Sequence, residues 1–302
     1  MDNLKFKSRD RSVAGWVRRR FARTWNTRHP GDWAEHPRCR LEAANADPWH
    51  RGYRRDGKGS GTVSIGRIEA RVPHHDFWHR FADGWELHTE RIYRQFVRPG
   101  ALVLDIGAWI GPTVLYALVC GASRVVALEP NPDSFAALSR IRQDNPGTAC
   151  ALEALNLAVG GREGTMPMGL PQGVSDTSMS GLAGDDFTVA VTTLSDLVES
   201  QGIRDADLVK IDIEGAEALM GDGLSELASV NRAVHLSVHV PYFPSGSDID
   251  RLVRSVARYE IFDDRGRRLG HREFARRVTS RERYPAWGGR GGNLFEVLLL
   301  AR

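Results

Sequence analysis

Cysteine is scarce in this 302-residue chain: there are three, Cys39, Cys120 and Cys150, with no CxxC pair. That spacing offers neither a disulfide framework nor a structural zinc site, and free thiols in a reducing, cytoplasmic setting are the expectation. Long hydrophobic runs are missing as well. None approaches the ~18 apolar residues of a membrane span. The longest, Val114 to Cys120 and Val297 to Ala301, suit a buried helical stretch and a buried strand. The N-terminal charges have no apolar stretch behind them, so a secretory signal is not expected. Internal repeats and low-complexity tracts are absent too.

What is present suits a soluble globular protein with a core large enough to enclose a small cofactor: 41% hydrophobic and 26% charged residues. The net charge of +3 conceals an asymmetry. Residues 1–60 carry 15 Lys/Arg against 7 Asp/Glu, and the rest of the chain has 26 against 31. A basic leader on a mildly acidic body can serve nucleic acid, anionic lipid or an anionic substrate, or can simply be a solvated extension. Its basic residues are interleaved with Trp16, Trp25, Trp33 and Trp49 without a recognisable binding motif.

Three regions follow: a basic, Trp-rich N-terminal extension over residues 1–60, a helical lid or pre-domain segment over 61–97, and an α/β domain over 98–302. Within 1–60 one helical stretch runs near Val13 to Trp25. The second region holds a strand-like run, Thr62 to Ile65, and an amphipathic stretch, Phe77 to Phe96. In the third, strand and helix signals alternate, as in a doubly wound sheet. Strands are expected at Ala101–Ile106, Arg124–Leu128, Ala151–Val159, Phe187–Val191, Leu208–Ile213, Ala233–Val240, Tyr259–Phe262 and Leu294–Leu300. Helices are expected at Thr113–Val119, Pro132–Gln143, Thr193–Gln201, Ala216–Leu227 and Asp248–Tyr259. Asp133 in the turn after Pro132 suits a helix N-terminus.

The segment Asp105-Ile106-Gly107-Ala108-Trp109-Ile110-Gly111 ends a strand in an acid, then opens a helix through two glycines. Gly107 lets the backbone turn sharply and approach a ligand that a Cβ would block. The helix N-terminus beyond offers free N–H groups, and ligands of open α/β sheets bind at such strand ends. A dinucleotide fingerprint would read G-x-G-x-x-G, but Trp109 stands at its second glycine and an acid precedes the first. A carboxylate there repels a pyrophosphate and suits a ligand bearing an ammonium group. Glu129, 24 residues after Asp105 at the end of the next strand, is placed to accept hydrogen bonds from both hydroxyls of a ribose.

These residues carry a resemblance. Arg98-Pro99-Gly100 through Asp105-Ile106-Gly107-Ala108 and Gly111, then Val126-Ala127-Leu128-Glu129-Pro130, resemble FkbM-type S-adenosylmethionine-dependent methyltransferases. So do Asn156-Leu157-Ala158-Val159-Gly160, Thr193-Leu194-Ser195-Asp196-Leu197 and, most specifically, Val209-Lys210-Ile211-Asp212-Ile213-Glu214-Gly215-Ala216-Glu217. Trp85-Glu86 and Thr89 resemble the family's helix ahead of the first strand. The similarity spans roughly residues 85–240, leaves the first 60 unmatched, and departs at Trp109, where the family usually has Asn or a small residue. It implies a Rossmann-like methyltransferase sheet of seven strands, the last antiparallel. It also implies that Asp105, Gly107, Ala108 and Gly111 line the methionine and ribose. Glu129 would hold the ribose hydroxyls with support from Asn131, Asn156 would lie near the adenine, and Glu86 and Thr89 would close over the methionine end.

Methyl transfer to a hydroxyl needs an aligned nucleophile and a group that removes its proton. Asp212 and Glu214 alternate with Ile211 and Ile213, and so share a face of the fourth strand. His235, Ser237 and His239 share a face of the fifth, with His239 nearer the ligand edge. His239 is a candidate general base, with Asp212 and Glu214 orienting substrate or, together with His239, holding Mg2+. The alternatives are a histidine bonded to the sheet edge, and Glu214 and Glu217 capping the following helix. The long polar loop Pro167 to Asp186 has the character of a substrate cover; a surface excursion is the alternative. Tyr242, Phe243 and Arg265-Gly266-Arg267-Arg268 are candidates for shaping the acceptor pocket.

Three functions are consistent with this pattern. The resemblance favours O-methylation of a small hydroxylated acceptor such as a sugar, polyketide or other natural product. Nucleic-acid methylation is the second, although Asp212-Ile213-Glu214-Gly215 replaces the (N/D)-P-P-(Y/F) string of base amino-methylation, and C5 chemistry would need a strand-end cysteine. A non-catalytic binding protein on the same fold is the third. The acceptor, metal dependence and homo-oligomerisation stay open.

Overall fold

The computed structural model of this protein describes residues 47–302, apart from 58, 171–176, 178–179, 183, 221–222, 229–232, 244–245, 264–265 and 280–293. The helix expected at Val13–Trp25, the residues Trp16, Trp25, Trp33 and Cys39, and Arg265 lie outside the described residues.

The chain enters through an antiparallel meander of β1 (Arg51–Arg55), β2 (Ser60–Ile65) and β3 (Ile68–Pro73). Helices α1 (Phe77–Ala82) and α2 (Leu87–Phe96) follow. The amphipathic stretch Phe77–Phe96 is thus two helices rather than one. Gly84 (φ 96°) and Glu86 (φ 44°) take left-handed backbone conformations that a continuous right-handed helix cannot include. The meander is fastened to α2 by a buried pair between Arg51 and Glu90. The backbone N–H of Trp49 donates to the same carboxylate at 2.7 Å. A boundary at residue 60 is therefore corrected: β2 starts at Ser60 and its ladder with β1 crosses that point. The segment 61–97 also carries strands as well as helices.

Next comes the βαβ frame: β4 (Leu102–Ile106), α3 (Pro112–Cys120), β5 (Arg124–Leu128), α4 (Pro132–Asp144) and β6 (Leu152–Leu155). Asn131 caps α4, its side-chain oxygen accepting from the N–H groups of Asp133 and Ser134. The single third strand expected over Ala151–Val159 is divided. β6 stays in the large sheet, while β7 (Ala158–Gly160) joins β8 (Gly164–Met168) and β9 (Phe187–Thr193) in a separate sheet of order β7-β9-β8. The break falls at Asn156, whose amide donates to the carbonyls of Glu129 (2.9 Å) and Pro130 (3.0 Å).

The remaining elements are α5 (Leu194–Ser200), β10 (Leu208–Ile211), a 3-10 turn (Ala216–Met220), α6 (Gly223–Leu227), β11 (Ala233–His239), α7 (Gly246–Ser255), β12 (Tyr259–Asp263), β13 (Arg268–Leu269), α8 (His271–Thr279) and β14 (Leu294–Ala301). The expected helix Ala216–Leu227 is accordingly the 3-10 turn plus α6.

The large sheet has the order β13-β12-β14-β11-β10-β4-β5-β6. Strands β11, β10, β4, β5 and β6 pair in parallel, and β14 runs antiparallel between β11 and β12. This is the expected seven-strand order with an antiparallel last strand, extended at one edge by the short β13. Successive residues of each parallel strand feed opposite faces. Val103, Val125, Ala127 and Leu208 pack against the meander and helices α1 to α4. Leu104, Ile106, Val126, Val209 and Ile211 pack against α5 to α8. With both faces covered, the carboxyl ends of β4, β5, β10 and β11 lie side by side along one edge, where ligands of such sheets bind. Among the described residues no helix is long and apolar enough to cross a membrane.

Candidate active site

The turn after β4 is built by close backbone approach. Gly107 has φ 79°, and a Cβ there would lie 1.8 Å from the carbonyl oxygen of Asp212 at the end of β10. The N–H groups of Gly107 and Ala108 both donate to the Leu128 carbonyl at the end of β5, at 3.0 and 2.9 Å. Gly111 (φ 91°) sits against Ile141 and Leu138 of α4 and opens α3. Three strand ends are thus locked around Gly107.

Asp105 is 0% exposed and its carboxylate already has protein partners. Thr113 donates its hydroxyl to Oδ2 at 2.6 Å, and Lys210 Nζ lies 3.3 Å from Oδ1. Lys210 also donates to the Gly107 carbonyl at 2.6 Å and lies 3.5 Å from Asp212. Burial opposes the charge on Lys210, but Asp105, Asp212 and Glu86 outweigh it and hold the ammonium protonated. Lys210 thus balances the Asp105 charge from within the protein and links it to the Gly107 turn.

Glu129 ends β5 at 5% exposure. Its Oε2 accepts from the Trp109 N–H and its Oε1 from the Asn131 N–H, both at 2.8 Å. Burial raises its carboxyl to about 7 in spite of those bonds. Each oxygen keeps a lone pair for a further donor. Asn131, Ala108 and Gly111 are buried beside it, while Asn156 is exposed and braces the strand-end backbone.

Trp109 has φ 50° and is 9% exposed. Its ring meets Phe77 edge-on at 4.6 Å and His75 at 5.2 Å. Its indole N–H donates to Thr177 at 2.9 Å, and Asn131 donates to Ser180 at 2.9 Å. Thr177 and Ser180, which lie between β8 and β9 beside the Gly169–Gly181 bridge, therefore sit against the turn. Thr177 and Ser180 belong to the polar loop expected as a substrate cover, whereas Thr113 was not singled out from the sequence; a polar residue in the first turn after Gly111 was the available signal.

Beyond β10 the expected strand stops short. Ile211 is its last residue, and Glu214 (φ 51°) and Gly215 (φ 102°) form a left-handed turn. Asp212 and Glu214 therefore share no strand face, which corrects the alternation argument; the turn is what brings both to His239. His239 Nε2 lies 3.5 Å from Asp212 Oδ1 and 3.6 Å from Glu214 Oε1, and its Nδ1 lies 2.7 Å from Glu217 Oε1. Glu217 also caps the turn, accepting from the N–H groups of Ile213 and Gly215. Burial disfavours a charged His239, but Glu217, Glu214 and Asp212 overcome it and push the imidazole up to about 10. Set among these acids, His239 is placed to hold a proton rather than to take one. Asp212, Glu214 and His239 bring ligand atoms within 4.8 Å of one another, a spacing that fits one cation.

Glu86 and Thr89 stand over this end, Thr89 donating to Glu86 at 3.0 Å. Burial, and then the neighbouring Glu296, raise the Glu86 carboxyl to about 8.

A parallel sheet with its last strand inserted antiparallel, and acids at adjoining strand ends around a glycine turn, is the Rossmann-like methyltransferase fold. Residues 105–250, just under half of the chain, match the family model described as the methyltransferase FkbM domain. A curated relative, the hexuronic acid methyltransferase AglP of Haloferax volcanii, is 29% identical over 152 residues. The match covers 49% of this chain and 59% of AglP, so the chain spans about three fifths of that relative's length. Among solved structures, the methyltransferase FkbM of Methylobacillus flagellatus is 14% identical with a TM-score of 0.41, covering 67% of this chain and 43% of that one. TYW2 of M. jannaschii, solved in complex with AdoMet, is 12% identical with a TM-score of 0.40, covering 82% and 87%.

Proposed function

We propose that this protein is an S-adenosylmethionine-dependent methyltransferase that methylates a hydroxyl of a small molecule, a sugar acid or related natural product. The observation that carries the reading is the meeting, along one sheet edge, of a buried strand-end acid beside a glycine turn with an acid–histidine cluster on the next two strands. Glu129 has the lone pairs to accept from two ribose hydroxyls. Gly107 and Gly111 let the turn pack closely against the ends of β5 and β10 and against α4, and Asn131, Glu86 and Thr89 would complete the wall. When bound, the cofactor supplies an electrophilic methyl group.

The chain's own residues then act on the acceptor. Asp212, whose side chain is 33% exposed, is the accessible carboxylate of the cluster and takes the hydroxyl proton. His239, held cationic, orients Asp212 and Glu214 and offsets their repulsion. With His239 deprotonated instead, Asp212, Glu214 and His239 would hold a divalent ion such as Mg2+, which would lower the hydroxyl's pKa. Thr177 and Ser180, bonded to Trp109 and Asn131, cover part of the turn. AglP, a hexuronic acid methyltransferase, supports a sugar-acid acceptor. The free thiols Cys120 and Cys150 support a cytoplasmic setting.

The test is incubation with methyl-labelled cofactor and a panel of hydroxylated acceptors that includes hexuronic acids. Label in an acceptor hydroxyl, reduced at least ~100-fold by Asp212→Asn, supports the reading. Normal cofactor binding without transfer to any acceptor would leave a binding protein in its place.

A further inference from the structure

A second group of metal-type ligands lies outside the residues used above. His88 on α2, His235 on β11 and Glu296 on β14 bring one ligand atom each within 4.8 Å of the others. Both imidazoles address the same oxygen: His235 Nε2 is 3.2 Å from Glu296 Oε2, and His88 Nε2 pairs with that oxygen too. The two rings stand 6.1 Å apart at 82°, so their nitrogens converge on one point from different directions. On β11, His235 and His239 are four residues apart, roughly 13 Å along the strand, which separates this group from the one at Asp212.

We propose that His88, His235 and Glu296 form a site for a divalent first-row transition-metal ion of the zinc class, distinct from the group of Asp212, Glu214 and His239. Two imidazoles and one carboxylate are borderline donors that favour zinc or cobalt, whereas magnesium and calcium prefer oxygen ligands. Both histidines are buried, but the Glu296 side chain is 22% exposed, so one side of the ligand set opens toward solvent. The ion therefore keeps coordination positions for water or an acceptor oxygen. Its ligands come from one helix and an antiparallel strand pair, so it also ties α2 to the sheet. This inference does not depend on the methyl-transfer reading.

Cobalt(II) titration of the demetallated full-length protein tests it. A ligand-field band that saturates at one equivalent, survives His239→Ala and disappears in both His88→Gln and Glu296→Gln is the expected result. Absence of a band in the wild type, or a band lost in His239→Ala and kept in His88→Gln, would overturn the proposal. Because the variants at buried positions could fail to fold, X-ray absorption of the zinc-loaded wild type gives a second reading. Two imidazoles in the first coordination sphere are expected; a single imidazole with oxygens would put the ion at His239 and refute the site.

Discussion

Glu129 offers a test in which folding and binding move in opposite directions. Its carboxyl is raised from the ordinary 4.5 to about 7 by burial. A native-state pKa above the unfolded one means that the folded protein holds the proton more tightly. The stability this confers is full below about 4.5 and is lost as pH rises through 7. Above that pH the ionised group weighs on the fold by roughly 3 kcal/mol. Glu129→Gln removes that burden but turns an NH2 toward either the Trp109 or the Asn131 N–H, a buried mismatch of about 1–3 kcal/mol. At pH 8 the two effects nearly cancel, and the variant should melt at or slightly above the wild-type temperature. At pH 5, where the wild type is protonated, the variant should melt lower. Cofactor affinity should fall at pH 8, because charge-assisted bonds to ribose hydroxyls become neutral ones. The difference is about 1–3 kcal/mol, or roughly 5–150-fold in Kd. Wild-type affinity should rise from pH 6 to pH 8, and that of the variant should not. Calorimetry with S-adenosylhomocysteine and thermal melts at both pH values read all of this. Unchanged affinity in the variant would refute the assignment of Glu129 to the ribose.

Three further outcomes follow from the same geometry. Lys210→Met strands the fully buried Asp105 carboxylate without its counter-charge, costing about 3–5 kcal/mol; a melting temperature within a degree of wild type would show that the pair is not structural. Trp109→Phe keeps the edge-on contact with Phe77 but deletes the bond to Thr177, so limited proteolysis between Gly169 and Asp186 should accelerate several-fold with the melting temperature little changed. For His239, whose folded-state pKa of about 10 exceeds the ordinary 6.5, the ion-pair stabilisation is full below about 6.5 and lost as pH rises through 10. His239→Gln should therefore flatten the decline of stability between pH 8 and 10, as followed by denaturant unfolding.

The βαβ frame was legible because its signals are local. Apolar runs of strand length, the glycines at 107 and 111, and Pro132 after Glu129 each act within a few residues, and β5 appears with the bounds read from the sequence. Departures arose where a long-range contact decides the backbone. Asn156 turns the third strand out of the sheet by bonding to residues 129 and 130, and no local pattern announces that. The alternation over Ile211 to Glu214 suggested a strand face, but there a competing local signal prevailed: Gly215 and the carboxylate of Glu217 impose a left-handed turn. The surroundings of Asp105 and His239 were not legible for an electrostatic reason. A carboxylate or imidazole read in isolation carries its solution behaviour, whereas Lys210 and the acids around His239 set the charge of each. Those neighbours come from other strands, so only the fold brings them together.

The central claim is that the cofactor sits on the turn from Asp105 to Gly111, held through its ribose by Glu129. A crystal structure with S-adenosylhomocysteine tests this most directly. The account predicts both ribose hydroxyls on the Glu129 carboxylate and the sulfur end directed toward Asp212 and His239. Ligand density elsewhere, or a ribose that does not touch Glu129, would contradict it.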